Sequence, residues 1–197
     1  MIGLIIFLAC LVFVILMLVG WVAGTYNDLT TDVQDVETQF SNVKTEYQRR
    51  SDLFYNLVEA VKSYVKFEKS TFIEVTKMRH ISQNMGTDAK VAKKQMTQLD
   101  NTFARLLATF ENYPKLQSVQ VYQQTMEEIR ITEDRVNVAR TDFNDTVRVY
   151  NIKVKTFPSN IIAHWFRFAV KSYFINEPRT DACPKLSFED SESKLTR

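Results

Sequence analysis

The chain opens on an unbroken apolar run, Ile2–Ala23, and Met1–Gly24 carries no charged side chain. As a helix rising about 1.5 Å per residue the run is about 33 Å long, close to the roughly 30 Å of a bilayer core. Trp21 and Tyr26 stand at its end, where amphipathic rings favour the membrane–water interface. A cleaved signal peptide fits less well, because no basic segment precedes the run and the run is too long. A lipidated Cys10 fits poorly too, since apolar residues continue beyond it. Residues 1–24 are therefore expected to be a retained transmembrane anchor.

Beyond the anchor the pattern changes to 3,4 spacing. Val33, Val36, Phe40, Val43, Tyr47, Phe54, Leu57, Val61, Tyr64, Val75 and Met78 form one apolar stripe, with Arg50, Glu68 and Thr71 as polar intrusions. No Gly or Pro interrupts Asn27–Asn84, so one long helix is expected there. Gly86 supplies a stop, and Thr87 or Asp88 a new N-cap. A second helix, about Asp88 to Tyr113, has the seam Ala92, Met96, Leu99, Phe103, Leu106 and Phe110. Pro114 marks a junction. A third helix, about Lys115 to Thr156, carries Tyr122, Met126, Ile129, Val136, Phe143, Val147, Tyr150 and Val154, and Pro158 ends it.

The reading is all-α: a single N-terminal transmembrane helix followed by a long antiparallel, up-and-down helical bundle over residues 25–157. Two paths return the chain to the membrane. Either the second and third helices stack end to end along a first helix of about 87 Å, or the first helix kinks near Arg49–Asp52 to give four.

Composition narrows the function. Lys and Arg number 25 against 23 Asp and Glu, and this balance argues against a nucleic-acid binder. Cys10 is in the apolar run and Cys183 in the polar tail, so a disulfide framework is not expected. His80 and His164 are the only histidines, and His80 beside Arg79 suits a helix C-terminus. No Glu-x-x-His pair, phosphate loop or nucleophile elbow occurs. No cofactor, metal or catalytic activity is expected. The sequon Asn144-Asp145-Thr146 falls inside a helix and reads as chance.

Glu133, Asn137, Arg140, Asn144 and Asn151 are spaced so that they share one face of the third helix. They read as a half-buried polar network that sets register, with Arg49, Arg50 and Asp52 facing it across the bundle. A ligand or ion site is the other reading.

Several of these stretches resemble the LemA family. They are Arg49-Arg50-Ser51-Asp52-Leu53 with Asn56-Leu57-Val58 and Val61-Lys62, Tyr113-Pro114 with Leu116, and Glu133 leading to Ala139-Arg140. Phe143-Asn144-Asp145, Val147, Tyr150-Asn151 and Phe157-Pro158-Ser159-Asn160 follow in order. The resemblance runs from the anchor to about Phe188. It implies a four-helix up-and-down bundle on the cytoplasmic side of a membrane, and no reaction. The family usually has Pro where Tyr55 stands and Tyr where Phe143 stands.

Orientation has little sequence support otherwise. Asp28, Asp32, Asp35 and Glu37 flank the anchor and the first basic residue is Lys44, so the positive-inside rule is silent. A free Cys183 favours a reducing compartment.

Residues 158–176 form an aromatic and basic segment. From Thr146 to Asn176 no acidic residue occurs, while Arg148, Lys153, Lys155, Arg167 and Lys171 interleave with Tyr150, Phe157, Trp165, Phe166, Phe168, Tyr173 and Phe174. This chemistry suits an interfacial segment on anionic lipid. It also suits a cap in which Ile161, Ile162, Trp165 and Phe166 close the bundle end. Residues 177–197 form a polar, irregular tail.

The functional expectation is a membrane-anchored helical scaffold or interaction protein that binds membrane lipid, self-assembles as a homo-oligomer or meets an unidentified protein partner. A membrane-tethered sensor or adaptor that recruits a soluble partner is the second reading.

Overall fold

The structure, a computed structural model, describes residues 2–65, 67–86 and 89–174. The N-cap expected at Thr87 or Asp88, the tail 177–197 and Cys183 lie outside the described residues. The fold is all-helical, and no strand occurs among the described residues. Helix α1 is Ile2–Val61, α2 Lys69–Gln83, α3 Ala89–Glu111, α4 Gln120–Lys155 and α5 Ser159–Trp165, with a 3-10 turn over Pro114–Ser118 before α4. An extended strap, residues 168–174, follows α5.

Anchor and bundle share one helix. The 60 residues of α1 run without a break from the apolar run to the far tip. The apolar window of α1 has mean hydropathy 3.4 and is not buried at all in the protein, unlike a core helix of a soluble domain. From Thr25 onward α1 climbs about 55 Å. The 36 residues of α4 descend by about the same length.

The first helix is neither continuous to Asn84 nor kinked at Arg49–Asp52. It ends at Val61, whose carbonyl accepts the amides of Tyr64 and Val65, and the chain reverses before Lys69. No Gly or Pro forces this. An aromatic cluster rewards it instead: the Phe67 ring lies 6.2 Å from Phe72, 5.8 Å from Phe110 and 5.1 Å from Tyr113, largely edge to face. Four helices therefore run up, down, up and down. The stop after α2 also comes early: α2 ends at Gln83 with Asn84 as its cap, before Gly86.

Beyond the apolar run helix α1 packs along α4, while α2 and α3 form a shorter hairpin over the upper part. The core follows the seams. Tyr47, Phe54, Leu57, Met96, Leu99, Phe103, Leu106, Phe110, Val136 and Val147 are buried. Phe103 lies at its centre, 5.1 Å from Phe54 and 6.5 Å from Tyr47, stacked on both.

Two outcomes test this architecture. Protein lacking residues 1–24 is expected to be soluble and strongly helical by circular dichroism, and a mostly β spectrum would contradict the fold. In that protein Phe103→Ala should cost about 3–5 kcal/mol in chemical denaturation, the usual range for emptying a core aromatic site.

Candidate functional site

Two sets of polar and aromatic side chains lie outside the plain core. One is an ionic layer midway up the bundle; the other is the bundle base with its strap.

The ionic layer joins three helices. Arg50 of α1, only 5% exposed, reaches Glu133 of α4 at 3.1 Å and stacks 4.2 Å over the Phe103 ring. Arg140 of α4 reaches Asp100 of α3 at 2.6 Å and lies 5.2 Å over Tyr47, whose hydroxyl donates to the same carboxylate. Burial pulls both guanidinium groups below the ordinary arginine value; they stay charged, since arginine does not titrate in the physiological range. The expected network is thus partly assembled. Arg50, Glu133 and Arg140 belong to it. Arg49 and Asn137 are exposed, and Asp52 turns to the other side to meet Arg79 of α2 at 2.8 Å. Tyr47 and Asp100 were not singled out from sequence: Tyr47 read as plain core, and a lone Asp at the seam edge of α3 carries no motif.

Asn144 and Asn151 do something else. Asn151 Nδ2 donates to the Lys171 carbonyl and its Oδ1 accepts the Lys171 amide, both at 2.9 Å. Asn144 repeats this with Phe174, at 3.0 Å and 2.7 Å. Each carboxamide stands in for a neighbouring strand. The periods match: seven residues of helix rise about 10.5 Å, and three residues of extended chain about 10 Å. Tyr150 donates to the Ala169 carbonyl at 2.9 Å, and burial pushes its phenol up, so it remains a donor. Lys93, at the foot of α3, donates to the carbonyls of Ser172 and Tyr173 and sits 5.0 Å over the Phe174 ring. Phe174 packs 4.9 Å from Phe143 and 6.2 Å from Phe40. The strap therefore fills the lower bundle, where the short α2–α3 hairpin does not reach.

At the base, α5 ends in a Schellman turn. The Phe168 amide donates to the Ala163 carbonyl and the Arg167 amide to that of His164, with Arg167 at φ 61°. Glycine is the residue this position favours, so an arginine here is mildly strained. The turn delivers Phe166 and Phe168 to Tyr26, with ring centroids 4.8 Å and 5.8 Å apart. Trp165 is 75% exposed, and Phe157, Ile161 and Arg167 are exposed beside it. Ile162 and Ala163 are buried. The capping and exposed roles are thus divided between opposite faces of one short helix. Lys171 is half-buried in the strap, and Trp21 is exposed on the anchor.

Among the described residues no group of His, Cys, Asp and Glu could hold a metal ion. At the distal end an open groove of about 500 Å³ is lined by Leu107 of α3 and by Tyr122, Met126, Ile129, Arg130 and Glu133 of α4, and a second of about 400 Å³ is lined by Tyr64, Val65, Asn112, Tyr113, Pro114 and Lys115.

A helix able to cross a bilayer, continuous with a four-helix bundle whose base is aromatic, defines a membrane-associated helical-bundle protein. The chain belongs to the LemA family, whose model matches residues 39–188. Among its relatives are the magnetosome proteins MamQ 1 and MamQ 2 of Paramagnetospirillum magneticum, each 27% identical over 88% of this chain and 74% of the relative. Protein LemA of Metamycoplasma hominis is 26% identical over 71% of this chain and 64% of its own length.

Two substitution sets check the site. Glu133→Ala leaves the Arg50 charge buried without its partner and should cost about 3 kcal/mol, more than Arg50→Met, which removes the charge and keeps the bulk. Equal losses on denaturation would contradict the pairing. Asn151→Ala should cost about 1–3 kcal/mol and speed hydrogen exchange at the Lys171 amide, with the α3 core amides unchanged.

Proposed function

We propose that the protein is a non-catalytic, membrane-anchored scaffold that stands a rigid helical rod on the bilayer and rests its base on the lipid. The observation that carries this reading is the packing of Phe166 and Phe168 on Tyr26. Tyr26 lies two residues beyond Gly24, about 3 Å further along α1. Whatever packs on it must sit at the level where the apolar run leaves the membrane. Trp165, Phe157 and Ile161 are then at headgroup depth, and Arg167, Lys155 and Lys171 lie near anionic phosphates. The strained backbone at Arg167 supports the same reading: a position suited to glycine holds a long cation at the membrane-facing turn.

The ionic groups of the bundle are committed to one another, which supports a structural role over a chemical one. The family match over residues 39–188 supports a cytoplasmic rod. Self-assembly rests on surfaces that the chain leaves open. The seam of α1 is covered by α2, α3, α4 and the strap, and the open surfaces among the described residues include the anchor, with Gly20 and Gly24 one turn apart, and the distal groove. That groove favours the second reading, an adaptor that meets a soluble partner at its tip. Particle mass in nanodiscs separates the two: a scaffold forms a fixed oligomer by itself, and an adaptor stays monomeric until its partner is present.

Protein lacking residues 1–24 should bind anionic vesicles, less so as salt rises, with Trp165 quenched from shallow lipid depth. Trp165→Ser with Phe166→Ser should remove the salt-resistant part of the binding. Arg167→Gly should weaken binding while leaving the melting temperature unchanged or higher. No affinity for anionic vesicles at low salt would refute the lipid contact.

A further inference from the structure

Helix α1 carries a second 3,4 pattern on the side turned away from the bundle. Its inner seam, through Val36, Val43, Tyr47 and Phe54, is apolar and buried. On the opposite face Gly24, Thr31, Thr38 and Thr45 follow one another at seven-residue steps. Gly20, Asn27, Gln34, Ser41 and Gln48 alternate with them at the same step. Every one of these residues is exposed. The strip is about 42 Å long, and no charge stands in it. Charges stand beside it instead: Asp28, Asp35 and Arg49 along one flank, Glu37 and Lys44 along the other.

Two features of this face have no use within one chain. A Cβ at Gly20 or Gly24 would meet nothing within 4 Å. No neighbour in the fold therefore requires glycine there, where it weakens a helix relative to alanine. The threonine hydroxyls, in turn, are bent back on their own helix. Thr31, Thr38 and Thr45 donate to the carbonyls of Asn27, Gln34 and Ser41 at 3.0, 2.9 and 3.0 Å. Each hydroxyl proton is thereby used, and the γ-methyl is the group left for a neighbour. Methyl groups recur about every 10.5 Å, with carboxamides and a serine between them.

We propose that a second copy of the chain docks on this face, α1 against α1, with the two helices parallel. The inference rests on the scaffold reading and names its surface. Copies anchored in one membrane stand the same way up, so a two-fold axis along the membrane normal sets each seam residue against its own counterpart. A charge in the seam would meet the same charge, and the seam is the strip from which charge is missing. Within the bilayer the two glycines let the backbones approach closely. Above it the threonine methyls pack together, and the carboxamides of Asn27, Gln34 and Gln48 bond across the pair and fix its register. A strip about 42 Å long and about 10 Å wide buries about 400 Å² on each copy, half of what a standard soluble interface takes. Anchoring makes up the difference, because it holds both partners in one plane and one orientation and so raises their effective concentration.

The test uses the full chain in nanodiscs, with Cys10→Ser and Cys183→Ser to remove its own thiols. Thr31→Cys, Thr38→Cys and Thr45→Cys are each expected to form disulfides between copies on mild oxidation. The rate should be several-fold above that of Asp35→Cys or Glu37→Cys on the flanks, or of Val138→Cys on exposed α4. Thr38→Lys should leave helicity unchanged and lower the particle mass from two copies to one, and Thr38→Glu should do the same. Mixing the Lys and Glu variants should restore the pair. Equal disulfide rates at the seam and at position 138 would overturn the proposal. An oligomer whose mass Thr38→Lys does not change would overturn this surface and leave the scaffold reading in place. Wild-type protein that stays single in every nanodisc would overturn both.

Discussion

Everything in this protein is measured against α1. It is one helix from the apolar run to the far tip, so it sets both the height of the rod and the level of the base. A helix of this length cannot bury its stripe against a single short partner. The chain solves this unevenly. It covers the whole stripe on one side with α4, the upper part with the α2–α3 hairpin, and the lower part with an extended strap. The strap is where a helix would ordinarily be, and its backbone would be left unpaired if α4 offered only apolar side chains. Carboxamides at helical spacing supply the missing donors and acceptors.

The match of two periods makes this possible. A helix heptad and three residues of extended chain advance by nearly the same distance, so asparagine every seventh residue meets every third strap residue. An ionised aspartate could not replace it, because a carboxylate only accepts and each rung needs a donor and an acceptor on one side chain.

The buried ion pairs and the exposed aromatic residues of the base lie at different heights. The ionic layer of Arg50, Glu133, Arg140 and Asp100 lies in the middle of the rod, with the guanidinium groups lodged on Phe103 and Tyr47. Exposed aromatic residues gather at the base around Tyr26. The middle layer specifies how three helices align, since a shift by one residue would leave a buried cation without its carboxylate. The base is free of that duty, which leaves its exposed side chains available for an outside surface.

Local periodicity was enough to determine the apolar first segment, the helical class, the seams of α1, α3 and α4, and the proline-marked ends, because each depends on residues within a turn or two of one another. It also placed Asn144, Asn151, Arg140 and Glu133 on one face. It did not reveal what that face meets. The reversal after Val61 carries no breaker, and only the meeting of Phe67 with Phe110 and Tyr113, more than forty residues away in the chain, makes it favourable. Asp52 left the expected network for Arg79 because α2 folds back beside it, a consequence of the same reversal. The partners of the asparagines were hidden for a similar reason. A strap carries no periodic signature of its own, and its residues are recognised only once α5 and the turn at Arg167 bring them back along α4.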